Sequence, residues 1–154
     1  MNPEQLARQS IERLLSQAGW QVSDAGAANV HAHRGLALRE FPLPGHGAAD
    51  YLLYVDGKAA GVIEAKKSGS TLTGVETQSD KYAQGLPAEL PAHRRPLPFS
   101  YQSSGGETRF TNGLDPQPRS RPVFAFHRPE YLAELLDETP NLGWIKAGGA
   151  EPTG

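Results

Sequence analysis

The sequence predicts an α/β domain with a central mixed β-sheet flanked by helices. Three observations carry that reading. Residues 3–18 form an amphipathic helical pattern, residues 51–55 and 59–65 are apolar arms around Asp56-Gly57, and a second helical pattern at 75–84 precedes further short strands. At 154 residues the chain is long enough for one packed core and too short for two ordinary ones. With 38% hydrophobic and 21% charged residues it has the composition of a folded globular domain.

Each element has a local reason. In the first helix Leu6, Ile11, Leu14, Leu15 and Ala18 approximate one apolar face, and Gly19 is placed to end it. Residues 20–34 are mixed and read as a loop. LALREF, residues 36–41, alternates as a strand does and is closed by Pro42 and Pro44. GHGAAD is a Gly-rich turn leading into the first apolar arm, and Asp56-Gly57 is a hairpin signal. Both arms are apolar on both faces, which places them at the centre of a covered sheet. Residues 75–84 (VETQSDKYAQ) read as a helix ended by Gly85 and Pro87, and residues 88–98 as an irregular link. Strands are expected at 99–103, 108–111 and 123–126, and a short helix at 129–137. The domain is taken as residues 1–142, with 143–154 as a tail or the start of a linker.

Composition removes several kinds of chemistry. The chain has no Cys, so a disulfide framework, a thiolate nucleophile and a Cys-ligated zinc are excluded, and a reducing cytoplasm is the expected location. No apolar run approaches membrane-spanning length, and MNPEQLARQS lacks the apolar core of a signal peptide, so no membrane partner is expected. There is no phosphate-cradling GxxxxGK[ST] loop, so ATP hydrolysis is not expected of this chain. A net charge of −2 is low for a domain that grips nucleic acid unaided.

Three charged residues sit where charge is expensive. Asp50 opens one apolar arm, and Glu64 and Lys66 close the other. Two apart on a strand, Glu64 and Lys66 share a face. Two carboxylates can bind a hard divalent ion and leave positions for water and a phosphate oxygen. A nearby ammonium can orient the attacking water or stabilise developing charge. The set therefore suits phosphodiester hydrolysis. Taken by itself, the motif reads first as an ion pair of Glu64 and Lys66 at a strand end. It also demands an irregularity. A two-residue Asp56-Gly57 loop pairs Asp50 with Ile63 and turns it away from Glu64, whereas one bulge or a three-residue loop restores Asp50 to the face of Val62, Glu64 and Lys66.

Asp50 followed by Glu64-Ala65-Lys66 resembles the PD-(D/E)xK nuclease motif, with Ala49 in place of the literal Pro. Gln78-x-x-x-Tyr82 resembles the Gln-x3-Tyr motif of the RecB-like branch. REFPLPGHGAADYLLYVDGKAAGVIEAKK, VETQSDKYAQGLP, ETRFTNGLDPQPRSR and FHRPEYLAELL are similar to the N-terminal endonuclease domain of type I restriction enzyme R (motor) subunits, over most of the chain from Leu6 to Leu136. The resemblance implies a restriction-endonuclease-like three-layer fold and Mg²⁺-dependent DNA cleavage, with Mn²⁺ as substitute. It implies ATP-driven translocation by a motor region absent from this chain, to which 143–154 would lead. DNA and the specificity and methylation subunits of a restriction complex are the implied partners. Asp50, Glu64 and the Ala65 backbone carbonyl carry over as metal ligands, and Lys66 as the catalytic lysine. Gln78 and Tyr82 carry over as supporting residues near the DNA backbone. A first-helix Glu joins the site in many such proteins; Glu12 is the candidate and Glu4 the alternative.

Other residues have plainer readings. His46 supports the turn before Asp50, and His31 and His33 read as surface. His93, Arg94 and Arg95 read equally as a phosphate-holding cluster or a solvated loop. Two rival functions remain: a repair or junction nuclease on the same fold, and a catalytically silent DNA- or subunit-docking domain.

Overall fold

The computed structural model describes residues 2–27, 29–45, 47–72 and 86–138. A seven-stranded mixed sheet dominates, with its strands in chain order from one edge to the other. The strands are β1 (Gln21–Asp24), β2 (Gly35–Pro42), β3 (Ala48–Val55), β4 (Lys58–Ala65), β5 (Phe99–Ser103), β6 (Thr108–Asn112) and β7 (Ser120–Val123). β1 with β2 and β4 with β5 are parallel, and the other neighbours are antiparallel. Helix α1 (Pro3–Gln17) precedes the sheet and helix α2 (Pro129–Glu138) follows it.

Helix α1 begins with a reciprocal cap. The Asn2 side chain accepts from the Gln5 N–H at 2.8 Å, and the Gln5 side chain accepts from the Asn2 N–H at 3.1 Å. Pro3 sits in the first turn, where a missing N–H costs nothing, and Gly19 just past the end takes φ 95°. Its core-facing stripe is Ala7, Ile11 and Leu15, with Ala18 beyond the last turn, while Leu6 is 42% exposed. The sequence expectation of Leu6 in that stripe is thus corrected by one position: spacing of four from Ile11 selects Ala7.

Two apolar layers lie on the sheet. Tyr51, Leu53, Val55, Ile63, Phe99, Tyr101 and Phe110 pack with Ile11 and Leu15 of α1 and with Leu132 and Ala133 of α2. Leu36, Leu38, Leu52, Tyr54 and Val62 pack on the other face with Leu43, Leu86 and Leu97. Among the described residues both helices therefore cover one face, and irregular chain covers the other. The described residues form a mostly-β α/β domain with the expected mixed sheet and show no three-layer sandwich; the expected helix at 75–84 lies outside the described residues.

Two strand expectations change. Residues 21–24, expected as loop, form β1: QVSD is short, exposed at both ends, nowhere fully buried and paired only with β2, so it carries no hydrophobic-run signal. β7 is Ser120–Val123 rather than 123–126. Its pairing with β6 sets Arg121 opposite Phe110, Pro122 is admissible because this is an edge strand, and Phe124 is fully exposed beyond it.

The central hairpin turns through Asp56 and Gly57 at φ 53° and 84°, the paired positive values of a two-residue turn matched to strand twist. Val55 pairs with Lys58 and Tyr54 with Ala59, and then the register shifts, so that Leu53 pairs with Gly61, Leu52 with Val62 and Tyr51 with Ile63. Ala60 is the extra residue. The pairing ends at Tyr51 and Ile63, the neighbours of Asp50 and Glu64 in the chain.

Candidate functional site

Asp50 sits near the start of β3, and Glu64 and Lys66 flank the end of β4. A direct bond ties the two strands there: Asp50 Oδ2 accepts from the Ala65 N–H at 2.8 Å. The N–H and C=O of one strand residue lie along the same strand edge. The Ala65 carbonyl thus lies along the β4 edge that faces Asp50. On the other side the Lys66 N–H donates to the Ser103 carbonyl of β5 at 2.7 Å, and the Ser68 N–H donates to the Pro3 carbonyl at 3.0 Å. The chain leaving β4 is thereby held between β5 and the start of α1.

Each carboxylate has a cation. Arg8 Nη2 donates to Asp50 Oδ1 at 2.6 Å, and Lys66 Nζ donates to Glu64 Oε2 at 2.8 Å. The four side chains are partly open, from 13% exposed for Glu64 to 31% for Arg8. The Arg8 guanidinium also lies 5.6 Å from the Tyr51 ring centroid. Burial works to lower its pKa, but the Asp50 carboxylate and Tyr51 outweigh that and hold it above the ordinary value. Nothing in the sequence reading singled out Arg8; an Arg on the helix face one turn beyond Glu4 was the available signal.

The two candidate glutamates of the first helix have different surroundings. Glu12 accepts two bonds from Arg39, at 2.8 and 2.9 Å, and one from the Tyr51 hydroxyl at 2.8 Å. The Arg39 bonds in the first place hold its carboxyl below the usual range, against burial, which works to raise it. Arg39 also reaches Asp24, so this cluster ties α1 to β1, β2 and β3. Glu4 instead lines a cavity of about 90 Å³ with Arg8, Ala65 and Lys66. Glu4 and Glu12 lie on one helix stripe but about 12 Å apart along the axis, so only the earlier one reaches the end of β4.

The basic cluster after the hairpin is structural. His93 Nε2 donates to the Val55 carbonyl at 2.6 Å, and Arg95 donates to the carbonyls of Pro87, Ala88 and Leu90. His31 and His33 line a surface hollow with Arg34 and Asp56 at the hairpin turn. Gln78, Tyr82 and His46 lie outside the described residues. Among the described residues no three His, Asp or Glu side chains gather as a metal-binding group. The oxygens available to a hard cation are those of Asp50, Glu64 and the Ala65 carbonyl. Such oxygen donors suit Mg²⁺, which is held by one or two carboxylates and keeps several waters.

Residues 21–112 match the family model described as the second domain of the type I restriction enzyme EcoKI endonuclease subunit. The match spans more than half of the chain and contains Asp50, Glu64, Ala65 and Lys66, while Glu4, Arg8 and Glu12 precede it. No curated protein and no solved structure matches the chain. The matched unit is described as a second domain, whereas the motif resemblance pointed to an N-terminal one.

Proposed function

The chain belongs to the family of type I restriction enzyme endonuclease-subunit second domains, and from that premise we propose that it is a DNA-cleaving, Mg²⁺-dependent domain of such a subunit. Asp50, Glu64 and the Ala65 carbonyl hold the ion, with Mn²⁺ as substitute, and Lys66 is the catalytic lysine. The observation that carries this is the bulge in the central hairpin. It shifts the register of the strands that lead to Asp50 and Glu64, and Asp50 bonds the Ala65 N–H, next in the chain to Glu64. A hairpin needed only for packing gains nothing from an irregularity in the strand that ends at these charged residues.

When bound, the ion acidifies a water and neutralises charge on the phosphate oxygens. The chain's own residues do the rest. Asp50 and Glu64 fix the ion's place on two neighbouring strands of the sheet, whose apolar layers hold them rigid. Lys66 exchanges its Glu64 partner for the attacking water or a phosphate oxygen, and its charge stabilises the transition state. Arg8 releases Asp50 and stays within reach of the same phosphate. Gln78 and Tyr82 support the DNA backbone. A motor region outside this chain supplies ATP-driven translocation. The specificity and methylation subunits of the cytoplasmic complex supply sequence choice.

A second reading is a catalytically silent docking domain. It is favoured by the ion pairs that occupy both carboxylates and by the description of the matched unit as a second domain. In the assembled enzyme, Asp50→Ala, Glu64→Ala and Lys66→Ala are each expected to abolish DNA cleavage while leaving ATP hydrolysis and the thermal melt unchanged. Cleavage by Glu64→Ala at the unaltered rate overturns the catalytic reading and leaves the docking one.

A further inference from the structure

Far from the hairpin site, a groove of about 470 Å³ runs between strands β6 and β7 and helix α2. Its floor is an aromatic ladder. Phe110 meets His127 edge-on with centroids 4.5 Å apart, and His127 stacks on Tyr131 at 4.9 Å and 26°. The His127 ring is held in place through Nδ1, 2.7 Å from the Tyr101 hydroxyl. Tyr131 is 44% exposed, so the ladder ends in an accessible π-face at the groove. Arg119 and Arg121 stand on the wall with Asp115 as the acid. Arg121 pairs opposite Phe110, and Arg119, two positions earlier, points to the same side. Among the described residues neither arginine has an ion-pair partner. Arg119, Arg121, His127 and Tyr131 all follow residue 112, so the matched family segment does not include them.

We propose that this groove binds single-stranded nucleic acid, with one base stacked on Tyr131 and consecutive phosphates on Arg119 and Arg121. An open aromatic face beside unpaired arginines is what a strand with exposed bases recognises: stacking supplies sequence-tolerant affinity and the cations follow the backbone. A duplex hides its base faces, and an acidic peptide has no use for the π-face. The two arginines set a small electrostatic component, with a log-log salt slope of about −1.4 for two single-strand phosphates. The groove does not depend on the hairpin site, and its occupant does not require a metal.

The test is fluorescence anisotropy of labelled oligo(dT) with the full chain in EDTA, beside a duplex of equal length and a poly-glutamate peptide. Oligo(dT) is expected to bind more tightly than either. Tyr131→Ala is expected to weaken it roughly tenfold, the lower-middle of the range for one base–aromatic stack, while Tyr131→Phe retains it. Arg119→Ala with Arg121→Ala is expected to remove the salt slope, whereas Arg13→Ala and Lys58→Ala leave binding unchanged. A thermal melt of each variant separates lost binding from lost fold. Equal affinity for duplex and oligo(dT), poly-glutamate binding as tight as oligo(dT), or binding by a folded Tyr131→Ala chain at full strength overturns the proposal. Loss of binding in a folded Arg13→Ala or Lys58→Ala chain places the strand elsewhere on the surface and overturns it too.

Discussion

At Asp50 one carboxylate oxygen takes the Arg8 guanidinium and the other takes the Ala65 N–H, at 2.6 and 2.8 Å. The second bond is geometric and keeps Asp50 at the end of β4. The first is electrostatic, and in the proposed site a divalent cation would compete for it. The pair is about 30% exposed on each side, so its net worth is about 1 kcal/mol or less. A cation so placed acts against metal binding twice: it occupies a ligand oxygen and repels the incoming charge. Arg8→Ala is therefore expected to tighten Mn²⁺ binding by about two- to fivefold, the equivalent of up to about 1 kcal/mol. Mn²⁺ titration followed by electron paramagnetic resonance measures this directly, without any cleavage step. Unchanged or weaker binding in a folded Arg8→Ala chain removes Asp50 from the ligand set.

Among the elements, β4 decides most. It is paired on both sides, antiparallel to β3 and parallel to β5, and it carries both the bulge and Glu64. Gly61 lies directly after the bulge and pairs with Phe99. A Cβ there would stand 2.5 Å from the Phe99 carbonyl oxygen and 2.9 Å from its Cβ. The obstacle is backbone, which cannot swing aside as a side chain can. Gly61→Ala is expected to cost about 2–3 kcal/mol, at the upper end of overpacking penalties. Urea denaturation checks the value, and a loss under 0.5 kcal/mol, the scale of a neutral surface change, contradicts the close approach. Residual folded protein is also expected to bind Mn²⁺ less well, because pushing β4 from β5 moves the end that carries Glu64.

For the whole molecule, charge limits capture of DNA. The chain carries 15 Lys and Arg against 17 Asp and Glu, and several of its cations are already committed. Arg8, Arg34, Arg39 and Lys66 are in ion pairs, and Arg95 caps backbone carbonyls. Those five are less free to displace counterions from a duplex. The isolated chain is expected to bind duplex DNA weakly at physiological salt and to nick poorly with Mg²⁺. Tethered to a motor, the same site would meet DNA at a raised effective concentration. A salt series of binding and nicking by this chain and by the full subunit checks this; tight, salt-resistant binding with rapid cutting by the isolated chain refutes it.

Local periodicity in the sequence is enough for α1, the central hairpin, β5, β6 and α2. Each of these has a cap, a turn pair or an alternating run that needs no distant partner to be recognised. The placing of Asp50, Glu64 and Lys66 at the ends of the apolar strands is legible for the same reason, since charge beside apolar runs is visible in one dimension. β1 is not, because QVSD becomes a strand only by pairing with β2, and β7 shifts because its register is set by β6. The bulge at Ala60 was required by the site but had no residue assigned to it; close packing of Gly61 on Phe99 accompanies it. Glu12 and Glu4 are indistinguishable in the sequence and are separated by the helix rise, which delivers one to Arg39 and the other to Lys66. Arg8 at Asp50, and the Tyr131 ladder beside Arg119 and Arg121, are long-range meetings of charge and ring that only the tertiary structure decides, because no periodicity records which side chains lie across a strand or a helix from one another.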